Sequence, residues 1–403
     1  MTCEGGGKVE RRSWCCLALL CAAINLSAQS VAGDGSAKPQ LIPRTSAERE
    51  AQYAAHRRIL LNVQVTDLSG NAVTGLDAED FTLRIDHKPG RISSFKAVQD
   101  GGATARAHAF FVIDVLNDSS RDLANTRKAI EELAGSAGLL PLPTSLIVLT
   151  ENGTETLTAT RRAADIVAEL RRVTKNVQLR NCTDDWNNAA LGKTITVTSV
   201  SELADRSQYR EEAAGRTSDC LNKKYQLSLT ALLDFAHRQQ SVPGRAILIW
   251  IGPGWPILYG PEFVTDTRDV RQNFFANLVQ VSTRMREGQV TLDAVFWPAS
   301  SPVAKLNPSD FETLMSGTST AAQASARSVA MPVLAHISGG QVYMNNKNLT
   351  RALTACLADA NAYYVLGFDS EPSDMPDEFR VIQVSVDKPG VTVRTTTEYY
   401  AQP

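Results

Sequence analysis

Apolar and polar positions change period along this chain, and the changes mark its elements. Ile59, Leu61, Val63 and Val65 alternate with Leu60, Asn62, Gln64 and Thr66, the two-residue period of a half-buried strand. Phe81, Leu83 and Ile85 alternate again, and Ile92 to Val98 follows as a third strand. Leu68-Ser69-Gly70-Asn71 and Lys88-Pro89-Gly90 read as turns. Residues 57–100 are therefore a small antiparallel β unit, too small to bury a core alone. The pattern returns at the far end. Ile382, Val384 and Val386 alternate, Lys388-Pro389-Gly390 turns the chain, and Val391, Val393, Thr395, Thr397 and Tyr399 alternate after it. Residues 376–401 are expected to form this hairpin and to complete a β-sandwich split across the sequence.

Between the two halves the rhythm is strand, helix, strand. The run from Ala109 to Asp114 is apolar until its final carboxylate, as in a strand buried on both faces. Leu123, Ile130, Leu133 and Ala134 then share one helical face. Leu146–Leu149, Ala246–Ile251, Leu292–Trp297 and Val342–Met344 read as further strands. Helical stripes separate them, such as Leu229, Leu232, Leu233 and Ala236, or Val270, Phe274, Leu278, Val281 and Met285. Asn152-Gly153 is a hairpin signal that adds one antiparallel edge strand. The expectation is an α/β fold over residues 105–370: a doubly wound, mostly parallel sheet inserted in the small split β-sandwich. Residues 174–224 interrupt this domain as a long polar insertion, and Pro298 to Ala326 is a second break.

The N-terminus adds a location. Lys8, Arg11 and Arg12 precede the apolar stretch Trp14–Leu26, and Ser30-Val31-Ala32 offers small residues for cleavage. Residues 1–32 thus read as a signal peptide and 33–56 as a linker, which places the mature chain outside the cell or in the periplasm. No other run reaches the length of a membrane span. With 403 residues, 43% apolar, there is material for a sizeable core. A net charge of −2 with mixed signs and no basic stripe excludes nucleic acid as a partner. Four of the seven cysteines belong to the signal segment. In an oxidising exterior Cys182 and Cys220, both in the polar insertion, are candidates to pair. Cys356, on an apolar helical face, reads as a buried free thiol.

Several stretches in order resemble the von Willebrand factor A-related family of secreted acidobacterial proteins. They are Val65-Thr66-Asp67-Leu68-Ser69-Gly70-Asn71-Ala72-Val73 with Gly75-Leu76 and Asp80-Phe81, then Phe111 to Asn117, then Pro243 to Leu248 with Gly252 and Gly254. Gly339 to Tyr343, Tyr363 to Phe368 and Pro389-Gly390-Val391 complete the set, over residues 57 to 401. The resemblance implies an A domain, secretion and a binding role. It also implies a place for Mg²⁺ or another divalent cation at the sheet's C-terminal edge, with a first loop of the form Asp-x-Ser-x-Ser. Asp114 stands at the first position, but Leu116 and Asp118 fall where the serines belong, and Ser119 is out of register. Thr150 and Thr183 are both open for the second loop, and Ile251-Gly252-Pro253-Gly254 holds no acid for the third. The motif is degenerate, with Asp114, Asp118 and Ser119 its remaining candidate metal ligands.

Asp114, Asn117 and Asp118 are also candidates for a carboxylate-lined binding pocket, and Ser119 with Asp122 has the spacing of a helix cap. Trp255, after a stiff Gly-Pro-Gly loop, and Trp186, within Asp184-Asp185-Trp186-Asn187-Asn188, are candidate contact aromatics. The five histidines are scattered, and no nucleophile elbow, P-loop or dinucleotide fingerprint occurs. The leading expectation is a non-enzymatic interaction or adhesion module whose partner is a protein or cell-surface polymer. A secreted hydrolase with an acidic site at the sheet edge and a purely structural envelope protein are the alternatives.

Overall fold

The computed structural model describes residues 57–99, 107–175, 200–255, 267–297, 308–343, 348–360 and 362–403, together with Val177, Leu179 and Cys182. The expected signal and linker lie outside the described residues. Strand β1 (Arg58–Asp67) is the first strand among the described residues, followed by β2 (Phe81–Ile85), β3 (Lys88–Pro89) and β4 (Ser94–Val98). The α/β region begins with β5 (His108–Asp114) and α1 (Ser120–Ala137), then β6 (Leu139–Thr150), β7 (Gly153–Arg162) and α2 (Ala163–Thr174). Helix α3 (Val200–Gln239), β8 (Ala246–Ile251), α4 (Arg268–Glu287) and β9 (Val290–Val295) continue it. Helices α5 (Pro308–Met315) and α6 (Met331–Ile337), strand β10 (Val342–Tyr343) and helix α7 (Leu349–Ala358) close it. The chain ends in β11 (Tyr363–Asp369), β12 (Glu378–Val386), β13 (Val391–Arg394) and β14 (Glu398–Ala401).

The central sheet has the order β10-β9-β8-β5-β6-β7, parallel except for the edge strand β7. Strand β5 lies between β8 and β6, so its apolar run is explained by helices on both faces. Phe111 and Ile113 point to the side covered by α1, α2 and α7. Val112 points to the side covered by α3, α4 and α6. Two four-stranded antiparallel sheets, β13-β1-β11-β4 and β14-β12-β2-β3, enclose a third core that includes Ile59, Leu61, Phe81, Leu83, Leu366 and Ile382. The sandwich is built from both ends of the described chain, with the α/β layers inserted between.

Four local expectations change. The β2–β3 turn falls on Asp86 and His87, both at positive φ, so Lys88 and Pro89 become a short strand rather than the turn. Strands β12 and β13 are not a hairpin: β12 pairs with β2 and β14, while β13 crosses to β1 in the opposite sheet. Strand β11, expected in the α/β domain, pairs with β1 and β4. Its Tyr364, Leu366 and Phe368 fill the sandwich core while Tyr363 reaches the α/β core, which is why both of its faces are apolar. The polar stretch 174–224 is not insertion throughout, because α3 is continuous from Val200 into the apolar stripe at Leu229.

The seam between sandwich and α/β layers is polar. Arg245, 2% exposed, donates from Nε to Thr291 Oγ1 (3.0 Å) and from Nη1 to Gln64 Oε1 (3.0 Å) and the Asp359 carbonyl (3.1 Å). Its guanidinium carbon lies 5.3 Å from the centre of the Tyr363 ring. Asp359 in turn takes both oxygens' bonds from Arg394 Nη2 at 2.9 and 2.8 Å. Asp293 accepts the Gln341 backbone N–H at 2.7 Å, and burial beside Asp359 raises its pKa.

Candidate functional site

Strand parity aims Asp114 at the α3 side of the sheet, in line with Val112, and the side chain is fully buried. Its carboxylate is held by N–H groups. Oδ1 accepts from the Asn117 backbone (3.2 Å) and from Asn117 Nδ2 (3.0 Å). Oδ2 accepts from Asn117 Nδ2 (3.1 Å) and from Trp250 Nε1 (3.1 Å). The Asn117 amide also donates to Ser228 Oγ on α3 at 3.1 Å. The strand, the turn after it, the neighbouring strand and a covering helix thus meet at one carboxylate. Burial lifts its pKa to about 6, against the pull of Asn117, Trp250 and the Lys224 charge.

Gly252 makes this packing possible. It sits at φ +140°, and a Cβ there would meet the Asp114 Cβ at 2.8 Å. We expect Gly252→Ala to cost about 2 kcal/mol, from backbone strain and displacement of the carboxylate. Urea unfolding measures it, and an unchanged midpoint refutes the contact.

Asp118 is 8% exposed. Its Oδ1 accepts the Ser119 N–H at 3.0 Å, while Oδ2 is buried without a partner, as is Asn117 Oδ1. Burial, with the charges of Asp114 and Asp122, pushes the Asp118 pKa up to about 8. Ser119 is committed to helix α1: its Oγ accepts from the Asp122 backbone (3.1 Å) and donates to Asp122 Oδ2 (2.8 Å).

These residues do not fit a hard divalent cation. Such an ion needs several free oxygen lone pairs. Asp114 spends its own on N–H donors, Leu116 is a buried hydrocarbon, and Ser119 caps a helix. Among the described residues no group of three or more His, Cys, Asp or Glu side chains is arranged to hold a metal. Trp255 is placed at the same edge but is 2% exposed, with Nε1 donating to the Val329 carbonyl at 2.9 Å. It stacks edge-on to Trp250 and Tyr225 and forms the wall of the site, not an accessible contact aromatic. Trp186 lies outside the described residues. Cys182 and Cys220 are joined by a disulfide, Cα atoms 5.5 Å apart, and Cys356 is a buried thiol.

Trp250, Ser228 and Lys224 are the members that reading the sequence missed. A tryptophan inside an otherwise aliphatic strand is itself a signal, because its indole N–H needs a buried acceptor. Ser228 lies on the same helical stripe as Tyr225, Leu229 and Leu232, a polar atom on a core face.

No family model matches this chain, and no curated protein does. Among solved structures the chain is similar to the human COPII-coat protein Sec24c, at 7% identity and TM-score 0.29, over 76% of this chain and 45% of that one. It is also similar to the manganese-loaded Plasmodium vivax TRAP protein, at 9% identity and TM-score 0.29, over 77% of this chain and 98% of that one. The chain therefore spans less than half the length of Sec24c. Among the described residues no helix is long and apolar enough to cross a membrane.

Proposed function

We propose that this chain is a secreted or periplasmic interaction module. It captures a protein or cell-surface polymer through the connections at the C-terminal edge of its parallel sheet, and it does so without a bound cation. One observation carries the reading. Strands β8, β9 and β10 all end on the side to which β5 points, so the connections 256–266, 298–307 and 344–347 leave the sheet there, and the longest connection, 175–199, joins α2 to α3. A rigid sheet that gathers its long connections on one edge is a common platform for recognition. The Cys182–Cys220 bond ties one of these connections to α3. The buried Asp114 cluster then serves as the internal brace of that edge.

Replacing residues 183–199 with a short Gly-Ser linker tests this. The circular dichroism spectrum is expected to stay native while capture of envelope components is lost. Capture by the unaltered protein should persist in a chelator. Capture that survives the replacement, or that the chelator abolishes, would overturn the reading.

A hydrolase is the second reading, favoured by one observation. Asp114 and Asp118 are neighbouring carboxyls that burial holds at different pKa values, about 6 and about 8, the pattern of an acid–base pair. Asp118→Asn separates the two readings: it removes hydrolysis but leaves capture intact.

A further inference from the structure

At the edge of the sheet opposite Asp114, where the parallel strands begin, the C-terminal turn of α4 meets β1 and β14 and leaves two adjoining cavities. The larger, about 680 Å³, is lined by Arg58, Arg284, Arg286, Gln240, Gln280 and Gln289 among others. The smaller, about 220 Å³, is lined by Arg57, Arg286, Thr283, Tyr400 and Gln402 among others. Thr283, Arg286, Glu287 and Gln402 border both, so Arg286 stands at their junction. The larger volume is that of a small-molecule site.

Arg286 is half-buried, and among the described residues its guanidinium has no hydrogen-bond or ion-pair partner. Burial depresses its pKa, offset only in part by Glu287 and Tyr399. Glu287 is already engaged, accepting from Gln240 Nε2 at 2.7 Å and pairing with Arg284 at 3.7 Å. Arg57 and Arg58 bring two further cationic side chains, without a hydrogen-bond or ion-pair partner among the described residues, against the side-chain carboxylate of Glu287; Pro403, the last residue, also borders the smaller cavity. A desolvated guanidinium without an acceptor is unfavourable in isolation, and the fork geometry of arginine matches a planar carboxylate or a phosphate. Gln240 and Gln289 spend their amide hydrogens on Glu287 and on the Leu60 and Arg286 carbonyls, which fixes the polar wall, and Gln280 adds a third amide to it that suits a ligand body carrying hydroxyl or amide groups.

We propose that this cavity is a binding site for a small oxyanion ligand, a carboxylate or phosphate on a polar body, with Arg286 taking the oxyanion. The site is independent of the sheet-edge reading, since it uses none of the same residues.

The test titrates the full-length protein with inorganic phosphate and, separately, with glucuronate at constant ionic strength. Calorimetry and thermal unfolding are followed together. Saturable binding of either probe that raises the melting temperature is expected, and whichever probe binds names the headgroup. Arg286→Gln should weaken binding about tenfold or more, and Arg58→Gln, on an exposed side chain, should weaken it less. Ligand-free Arg286→Gln should melt higher than the unaltered protein, because it removes a cation that lacks an acceptor. An arginine that only braced the fold would give the opposite sign. No saturable binding of either probe, or binding that both variants leave unchanged, would overturn the site.

Discussion

Arg245→Met is expected to lower stability by about 3–5 kcal/mol, the loss typical when one partner of a buried ionic cluster is removed. The arginine sits where three pieces of the chain meet: β1 through Gln64, β9 through Thr291 and the end of α7 through the Asp359 carbonyl. Methionine keeps most of the volume but strands the 2% exposed Gln64 and leaves Arg394 as the remaining cation beside Asp293 and Asp359. Because these bonds cross from sandwich to α/β layers, the unfolding curve should also change shape. Separate sandwich and α/β transitions, in place of one, would show that Arg245 couples the two. Urea denaturation at neutral pH reads both quantities. A single transition with a loss below about 1 kcal/mol would show that shape, not charge, holds the seam.

The framework was legible because its signals are local. Strand β5 and its neighbours are continuous apolar runs, and the outer strands alternate cleanly, so the doubly wound sheet and the split sandwich follow from period alone. Pairing was less legible. The β12 and β13 segments read as a hairpin across Lys388-Pro389-Gly390, yet the turn carries the chain between sheets. Both arrangements give the same alternation, and only the partner differs. Strand β11 was misplaced for a related reason: a segment facing two cores looks like any strand covered by helices. At the site, Asp114 and Asn117 announced themselves as a polar end to an apolar run. Trp250 and Ser228 join them through the parallel register that sets Val112 against Trp250, a long-range fact absent from either local stretch. Arg286 carried no signal, since one arginine in the last turn of a helix usually answers the helix dipole.

Asp118→Asn is expected to stabilise the protein at pH 8 by up to about 5 kcal/mol and to change little below about pH 4. The folded pKa of about 8 lies above the ordinary 3.8, so the folded chain keeps a proton that the unfolded chain releases. The stability contributed by that proton is fully present below the unfolded value and drains away as pH rises toward 8. The cause is burial first, then the neighbouring charges of Asp114 on β5 and Asp122 on α1. Asparagine mimics the protonated acid. Its carbonyl can still accept the Ser119 N–H, and its amide supplies the hydrogen that Oδ2 lacks as a carboxylate. Asp114, raised to about 6, adds a loss of the same sign over a lower window and is common to both proteins. Denaturation curves at pH 4, 6 and 8 should therefore diverge steadily between the two. Curves that stay parallel would mean that Asp118 ionises as an ordinary surface carboxylate, and the closed, cation-free edge inferred from its burial would no longer stand.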